Sequence, residues 1–125
     1  MFMSFSQRFL LVGLFAMLYS LDVDATTYTS ISDGSYNDCS IWDNGCPPNQ
    51  ITVGDTVIIN HNVDASSSME VYGVLIVNVP GDFSCDNDIS LEESGRIDVS
   101  GNFTLLAELN LNGYLRKSKY FIFKK

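Results

Sequence analysis

After Trp42 the chain alternates apolar and polar residues in short runs separated by Gly, Asn, Asp and Ser, without helical periodicity. Alternation with a period of two buries one face of a strand and leaves the other in solvent. The pattern therefore predicts an all-β domain of short strands joined by turns. The apolar positions are Val57, Ile59, Val71, Leu75, Val77, Ile89, Leu91, Ile97, Val99, Phe103, Leu105, Leu109, Leu111 and Leu115.

One sequence motif occurs three times: apolar-x-apolar, a short turn, glycine, any residue, apolar. It occurs in MEVYGVLIV (69–77), ISLEESGRIDV (89–99) and LNLNGYL (109–115), and its glycines are 22 and 18 residues apart. A period near twenty residues without helices is typical of β-helix coils. We expect a glycine at each corner because the chain bends sharply there, often with positive φ. The repeat predicts a short right-handed parallel β-helix (solenoid) of about four coils.

A β-sandwich is the alternative architecture, because turn signals at short intervals suit that fold too. The glycine spacing favours the solenoid. Asn44-Gly45 and Asn112-Gly113 are the only Asn-Gly steps, and neither lies midway between two long alternating runs, as hairpin turns would.

Residues 1–25 differ from the rest of the chain. Arg8 precedes an apolar run over 9–18, which is too short for the ~20 residues of a membrane span. Val23 and Ala25 supply the small side chains that precede a cleavage site. This pattern predicts a signal peptide removed after Ala25, a secreted or cell-surface location, and no membrane span in the mature chain.

The remaining chain divides into three parts. Residues 26–50 form an N-terminal cap region, residues 51–115 the coils, and residues 116–125 a basic and aromatic tail. We expect Tyr-Phe-Ile-Phe (120–123) either to fold over the last coil as a cap or to mark the continuation of a longer solenoid.

The charge of the chain argues against nucleic-acid binding. Residues 26–125 hold 13 acidic and 6 basic residues, a net charge of −7, and Arg96 is the only base before Arg116. An acidic surface repels phosphate backbones.

Three cysteines follow the signal peptide, and export places them in an oxidising compartment. Cys39 and Cys46 bracket a short turn-rich segment, so we predict a disulfide between them. Cys85 is then a buried thiol, a mispaired partner or an intermolecular link, and we favour the buried thiol.

Residues 36–77 resemble the opening of the G8 domain and related β-helix modules of exported surface proteins. The matching features are Trp42 followed by Gly45, Pro47-Pro48, Gly54-Asp55-x-Val57-x-Ile59, Val63-Asp64 and Gly73-x-Leu75-x-Val77. The resemblance implies an extracellular, mostly β module linked to adhesion or polysaccharide handling. It carries over no catalytic residue.

Two aromatic or heterocyclic side chains are candidates for chemistry. Trp42 either plugs the first coil with its N–H bonded at the rim, or contacts a glycan. His61, the only histidine, is expected to be hydrogen-bonded at a turn, and no second histidine exists for a zinc site.

Three polar groups complete the list of candidates. The acidic segment 82–88 offers oxygen ligands for Ca²⁺ but fits a solvated loop better. Arg96 and Asp98 share the outward face of one strand, where a surface ion pair is expected. Asn102 begins an Asn-Phe-Thr sequon, an N-glycosylation acceptor in a eukaryotic secretory route.

These observations predict an exported, non-catalytic β-solenoid module for cell-surface adhesion or for binding an extracellular polysaccharide or surface protein. The alternative is the N-terminal fragment of a larger β-helix polysaccharide-processing enzyme. About four coils are too few for the long groove of such an enzyme, and we expect no metal ion or cofactor.

Overall fold

The computed structural model describes residues 25–117 and 121–123. The predicted signal peptide, apart from Ala25, and part of the predicted tail lie outside the described residues. A single turn of 3₁₀ helix spans Cys39–Ile41, and the other elements of the described part are strands. They are β1 (Thr27–Thr29), β2 (Gly34–Ser35), β3 (Gln50–Ile51), β4 (Thr56–Ile59), β5 (Asn62–Ala65), β6 (Met69–Val71), β7 (Val74–Val77), β8 (Asp82–Cys85), β9 (Ile89–Leu91), β10 (Arg96–Val99), β11 (Asn102–Leu105), β12 (Leu109–Leu111), β13 (Tyr114–Arg116) and β14 (Phe121–Phe123).

Consecutive strands belong to three different parallel sheets, so the chain winds as a solenoid. Sheet 1 has the order β1-β4-β7-β10-β13, sheet 2 the order β2-β5-β8-β11-β14, and sheet 3 the order β3-β6-β9-β12. Every strand pair in these sheets is parallel. The predicted parallel β-helix is confirmed. The β-sandwich alternative is wrong, because its sheets would be antiparallel.

The described part makes about three regular turns, from β4 to β12. Strands β1–β3 form one more coil at the N-terminal end, with a long connection between β2 and β3. Together with this irregular coil, the number of coils comes close to the predicted four. Strands β13 and β14 then extend sheets 1 and 2 beyond the third turn.

Matching positions of successive coils stack in rows through the core. The alternation in the sequence is reproduced as alternating burial along each regular strand from β4 to β11. The ring centroids of Phe83 and Phe103 lie 5.3 Å apart with an edge-to-face geometry. Such stacking buries apolar area on every turn, which is the main favourable contribution to the stability of the fold. Three fully buried rows are Val57–Leu75–Ile97, Val63–Phe83–Phe103 and Val71–Leu91 with Ile51.

The corner glycines of the repeat have a different role from the expected one. Positive φ occurs at Gly34, Gly45 and Gly54 but not at the repeat glycines, so that expectation is wrong. A side chain at Gly73, Gly95 or Gly113 would instead overlap a backbone carbonyl oxygen of the preceding coil or corner. Glycine is needed there because neighbouring coils approach within the spacing of paired strands.

Candidate functional site

The outer face of sheet 1 carries two rows of side chains that the alternation turns away from the core. One row consists of Val74, Arg96 and Tyr114. The second row consists of Ile76, Asp98 and Arg116. The parallel register thus brings together charged and aromatic residues that are 18 to 22 positions apart in the chain.

A cleft of about 290 Å³ opens at the end of the second row. It lies where β7 and β10 run into the turns that lead to sheet 2. Its walls combine apolar, hydroxyl, amide, carboxylate and guanidinium groups, a mixture that suits a small polar ligand. The lining residues are Ile76, Asn78, Asp98, Val99, Ser100 and Arg116.

Asp98 is the most unusual group of the cleft. Its Oδ2 accepts a hydrogen bond from Nη2 of Arg96 in an ion pair. Its Oδ1 is shielded from solvent and has no hydrogen-bond partner among the described residues. A buried acceptor without a donor costs about 1–3 kcal/mol, and a donor that reaches it removes this penalty. The expected surface ion pair is therefore present, with one carboxylate oxygen left unused.

Arg96 stays charged in this arrangement. Its guanidinium is half-exposed, and the hydrogen bond from it to Asp98 raises the pKa of Arg96 above the usual value. The ion pair holds the Asp98 carboxylate in one orientation at the cleft.

Two polar side chains next to Asp98 are fixed by the neighbouring coils. The Asn78 amide donates to Oδ1 of Asn60, on the preceding turn, at 3.1 Å. The Ser100 hydroxyl donates to the Val77 carbonyl at 3.3 Å. Because Ser100 uses its proton in this bond, its oxygen lone pairs remain as acceptors.

Tyr114 and Arg116 provide exposed groups on the neighbouring strand β13. Tyr114 is 61% exposed and is paired in register with Arg96. Arg116 is exposed and is paired in register with Asp98. An exposed aromatic ring beside directed polar groups is a common composition of binding surfaces.

The cysteines are arranged as predicted. Cys39 and Cys46 form a disulfide. Cys85 is a free, buried thiol that points inward in the row between Ala65 and Leu105, which confirms the favoured alternative. Burial raises the pKa of the Cys85 thiol, so it stays protonated at neutral pH.

Trp42 belongs to the core. Its side chain is only 4% exposed, Nε1 donates to the Tyr36 carbonyl at 3.0 Å, and the indole packs edge-to-face on the Tyr36 ring. Burial also raises the pKa of Tyr36, whose hydroxyl donates to the Pro48 carbonyl at 2.8 Å. The expected plug is thus present. The alternative glycan contact through Trp42 is wrong for this conformation, because neither face of the indole is open to a sugar.

The other sequence-predicted candidates lie apart from the cleft. His61 is hydrogen-bonded, with Nδ1 2.9 Å from the Ser30 hydroxyl, as expected for a residue at a turn. Asp82 and Ser84 face outward on β8, and the Ser84 hydroxyl donates to Asp64 on the neighbouring strand. Within residues 25–117 and 121–123, no group of three or more His, Cys, Asp and Glu side chains is placed to hold a metal ion. Asn102 is exposed at the start of β11 on sheet 2.

Sequence reasoning identified Arg96 and Asp98 but missed Asn78, Ser100, Tyr114 and Arg116. The sequence feature that could have identified Tyr114 and Arg116 is the alternation itself. The next repeat of the strand that carries Arg96 and Asp98 has Tyr114 and Arg116 at the same outward positions. Unequal turns hid this relation, because the offset between paired residues on sheet 1 is 22 positions from Val74 to Arg96 and 18 from Arg96 to Tyr114.

The chain matches no protein-family model, no curated protein and no solved structure. Among the described residues no helix is both long and apolar enough to cross a membrane.

Proposed function

We propose that the chain is an exported, non-catalytic β-solenoid module that binds an extracellular polysaccharide or a surface partner through the Asp98 cleft. The supporting observation is the unpartnered Oδ1 of Asp98 in a cleft flanked by exposed Tyr114 and Arg116. A shielded acceptor without a donor is a group that a ligand can satisfy, and a stacked solenoid holds it in place without a ligand.

Export and family membership are parts of the same proposal. The Cys39–Cys46 disulfide supports a passage through an oxidising compartment. The parallel β-helix is the fold that the resemblance to G8 modules implies. These two features support the proposal of a secreted or cell-surface location and a G8-like role in adhesion.

The binding function is tested with the purified chain lacking residues 1–25 on an array of extracellular polysaccharides. We expect binding by the wild type and binding weaker by about tenfold or more in Asp98→Asn. Asp64→Asn is the matched control, because Asp64 is also an outward carboxylate that accepts one side-chain hydrogen bond, but it lies on sheet 2. Equal binding by both variants would contradict the cleft as the site.

A second function remains a candidate because β13 and β14 continue sheets 1 and 2 beyond the third regular turn. Such continuation suits the N-terminal fragment of a larger β-helix polysaccharide-processing enzyme. The enzyme would cleave a polysaccharide, whereas the binding module would not. Release of reducing sugar from any polysaccharide that the chain binds would contradict the non-catalytic module.

A further inference from the structure

We propose that the Asp98 cleft binds a neutral saccharide through two adjacent hydroxyl groups of one sugar ring. This inference rests on the binding function proposed above and names the chemistry of its ligand.

The unused groups of the cleft match the hydroxyl group. A sugar hydroxyl donates one hydrogen bond and accepts others. Oδ1 of Asp98 needs a donor, and the guanidinium of Arg116, on the register-paired position of the next strand, is a donor. One hydroxyl placed between them donates to Asp98 and accepts from Arg116. An ammonium group fits less well, because Arg96 and Arg116 flank the same carboxylate.

A second, adjacent hydroxyl finds its partner on the neighbouring turn. The Ser100 oxygen keeps its acceptor lone pairs, since its proton is directed to the Val77 carbonyl. Ser100 lies just after β10, two positions beyond Asp98, and lines the same cleft. Two acceptors in one cleft suit a ligand that presents two donors side by side.

The unpaired acceptor in the cleft favours a hydroxyl group over a carboxylate. The net charge of −7 over residues 26–125 repels a polyanion at long range, whereas Arg96 and Arg116 are positive charges beside the cleft, so charge alone does not choose the ligand. The cleft itself contains a carboxylate whose inner oxygen is unpaired. A uronate placed there would set two carboxylates against each other, whereas a hydroxyl removes the penalty of the unpaired oxygen.

Tyr114 supplies the apolar part of the recognition. Its ring is 61% exposed, and it lies two positions before Arg116 on β13. The C–H face of a pyranose packs against such a ring, while the edge of the pyranose carries the hydroxyl groups to Asp98.

The test compares neutral glucan, mannan and galactan oligosaccharides with uronate oligosaccharides by titration calorimetry at low and high salt. We expect a neutral saccharide to bind with an affinity that changes less than about twofold with salt, because no ion pair to the ligand is screened. Asp98→Asn should weaken this binding about tenfold or more, the effect of losing one charged hydrogen-bond acceptor. Tyr114→Ala should weaken it, whereas Tyr114→Phe should retain it because the ring, not the hydroxyl, makes the contact.

Asp64→Asn is the control and should bind like the wild type, and the circular dichroism spectrum of each variant verifies the fold. Binding to uronate oligosaccharides alone, with a strong dependence on salt, would overturn the neutral-ligand inference and leave the binding function standing. Unchanged affinity in Asp98→Asn would also overturn the inference. Absence of binding to every saccharide would overturn both the inference and saccharide binding as the function.

Discussion

Single residues in this chain are selected by the close approach of successive coils. Gly95 lies against the carbonyl oxygen of Val71, and Gly113 lies against the carbonyl oxygen of Glu92. Paired strands are separated by only ~4.8 Å, so a residue whose Cα faces the preceding backbone has no room for a Cβ. The glycines therefore allow successive coils to stack, and one glycine is found at this corner of each coil for that reason.

Replacing Gly95 with alanine should destabilise the chain strongly. The added methyl group would overlap backbone atoms of Val71, which cannot move without breaking the ladder between coils. We expect the free energy of unfolding, measured by urea denaturation, to fall by roughly 3 kcal/mol or more. Glu93→Ala in the same corner is the control, since Glu93 is exposed. Similar midpoints for Gly95→Ala and Glu93→Ala would refute the packing explanation.

At the scale of elements, the segment from Ile41 to Gly45 protects the first edge of the solenoid. Ile31 donates its N–H to the Ile41 carbonyl at 2.7 Å, and Asp43 donates its N–H to the Thr29 carbonyl at 3.0 Å. The Asp43 carboxylate accepts from the Thr29 N–H at 2.8 Å. These bonds occupy the outer edge of β1, which would otherwise be open to pairing with another chain. The Cys39–Cys46 disulfide closes the loop that carries this segment.

Removing the disulfide should loosen this edge protection. The bridge closes a loop with a sequence separation of 7. For a loop of that size the entropy model assigns roughly 2–3 kcal/mol of stabilisation. We expect Cys39→Ser/Cys46→Ser to lower the free energy of unfolding by that amount and to speed hydrogen exchange at the Ile31 and Asp43 amides. The Cys85→Ser variant is the control for the loss of a thiol away from the edge. Unaltered exchange at Ile31 and Asp43 would show that the segment holds its position without the bridge.

The elements divide into those that the sequence could predict and those that it could not. Strands with an inward apolar row, such as β7 and β10, were predictable because alternation reports burial directly. The register that places Arg116 beside Asp98 was not predictable, because it depends on the number of residues in each turn, which the alternation does not determine. The sequence predicted a cap region over 26–50 with a disulfide, but not the bonds of Ile41–Gly45 to β1, since two of the three are backbone bonds that side chains do not encode.

At the scale of the whole molecule, the three outer faces differ in chemistry. Sheet 1 presents Arg96, Tyr114 and Arg116 around the Asp98 cleft. Sheet 2 presents short polar side chains, including Asp64 and Ser84 in one row. A glycan added at the Asn102 sequon would extend from sheet 2, a face separate from that of the cleft. Sheet 3 carries a polar row in which Gln50 donates to Glu70. Among the described residues, two bases, Arg96 and Arg116, and the exposed Tyr114 thus lie on one face of an acidic molecule.

The end of the solenoid supplies the last prediction. Strand β14 pairs in parallel with β11 through the register Phe103–Phe121 and Leu105–Phe123, so it extends sheet 2 and covers the edge of β11. Deleting residues 120–125 should uncover that edge and the last core row beneath it. We therefore expect a lower melting temperature, measured by circular dichroism, and oligomers at micromolar concentration in size-exclusion chromatography. Deleting only residues 124–125 is the control, because β14 is kept. A melting temperature equal to that of the control, with monomeric elution, would show that β14 does not protect this edge.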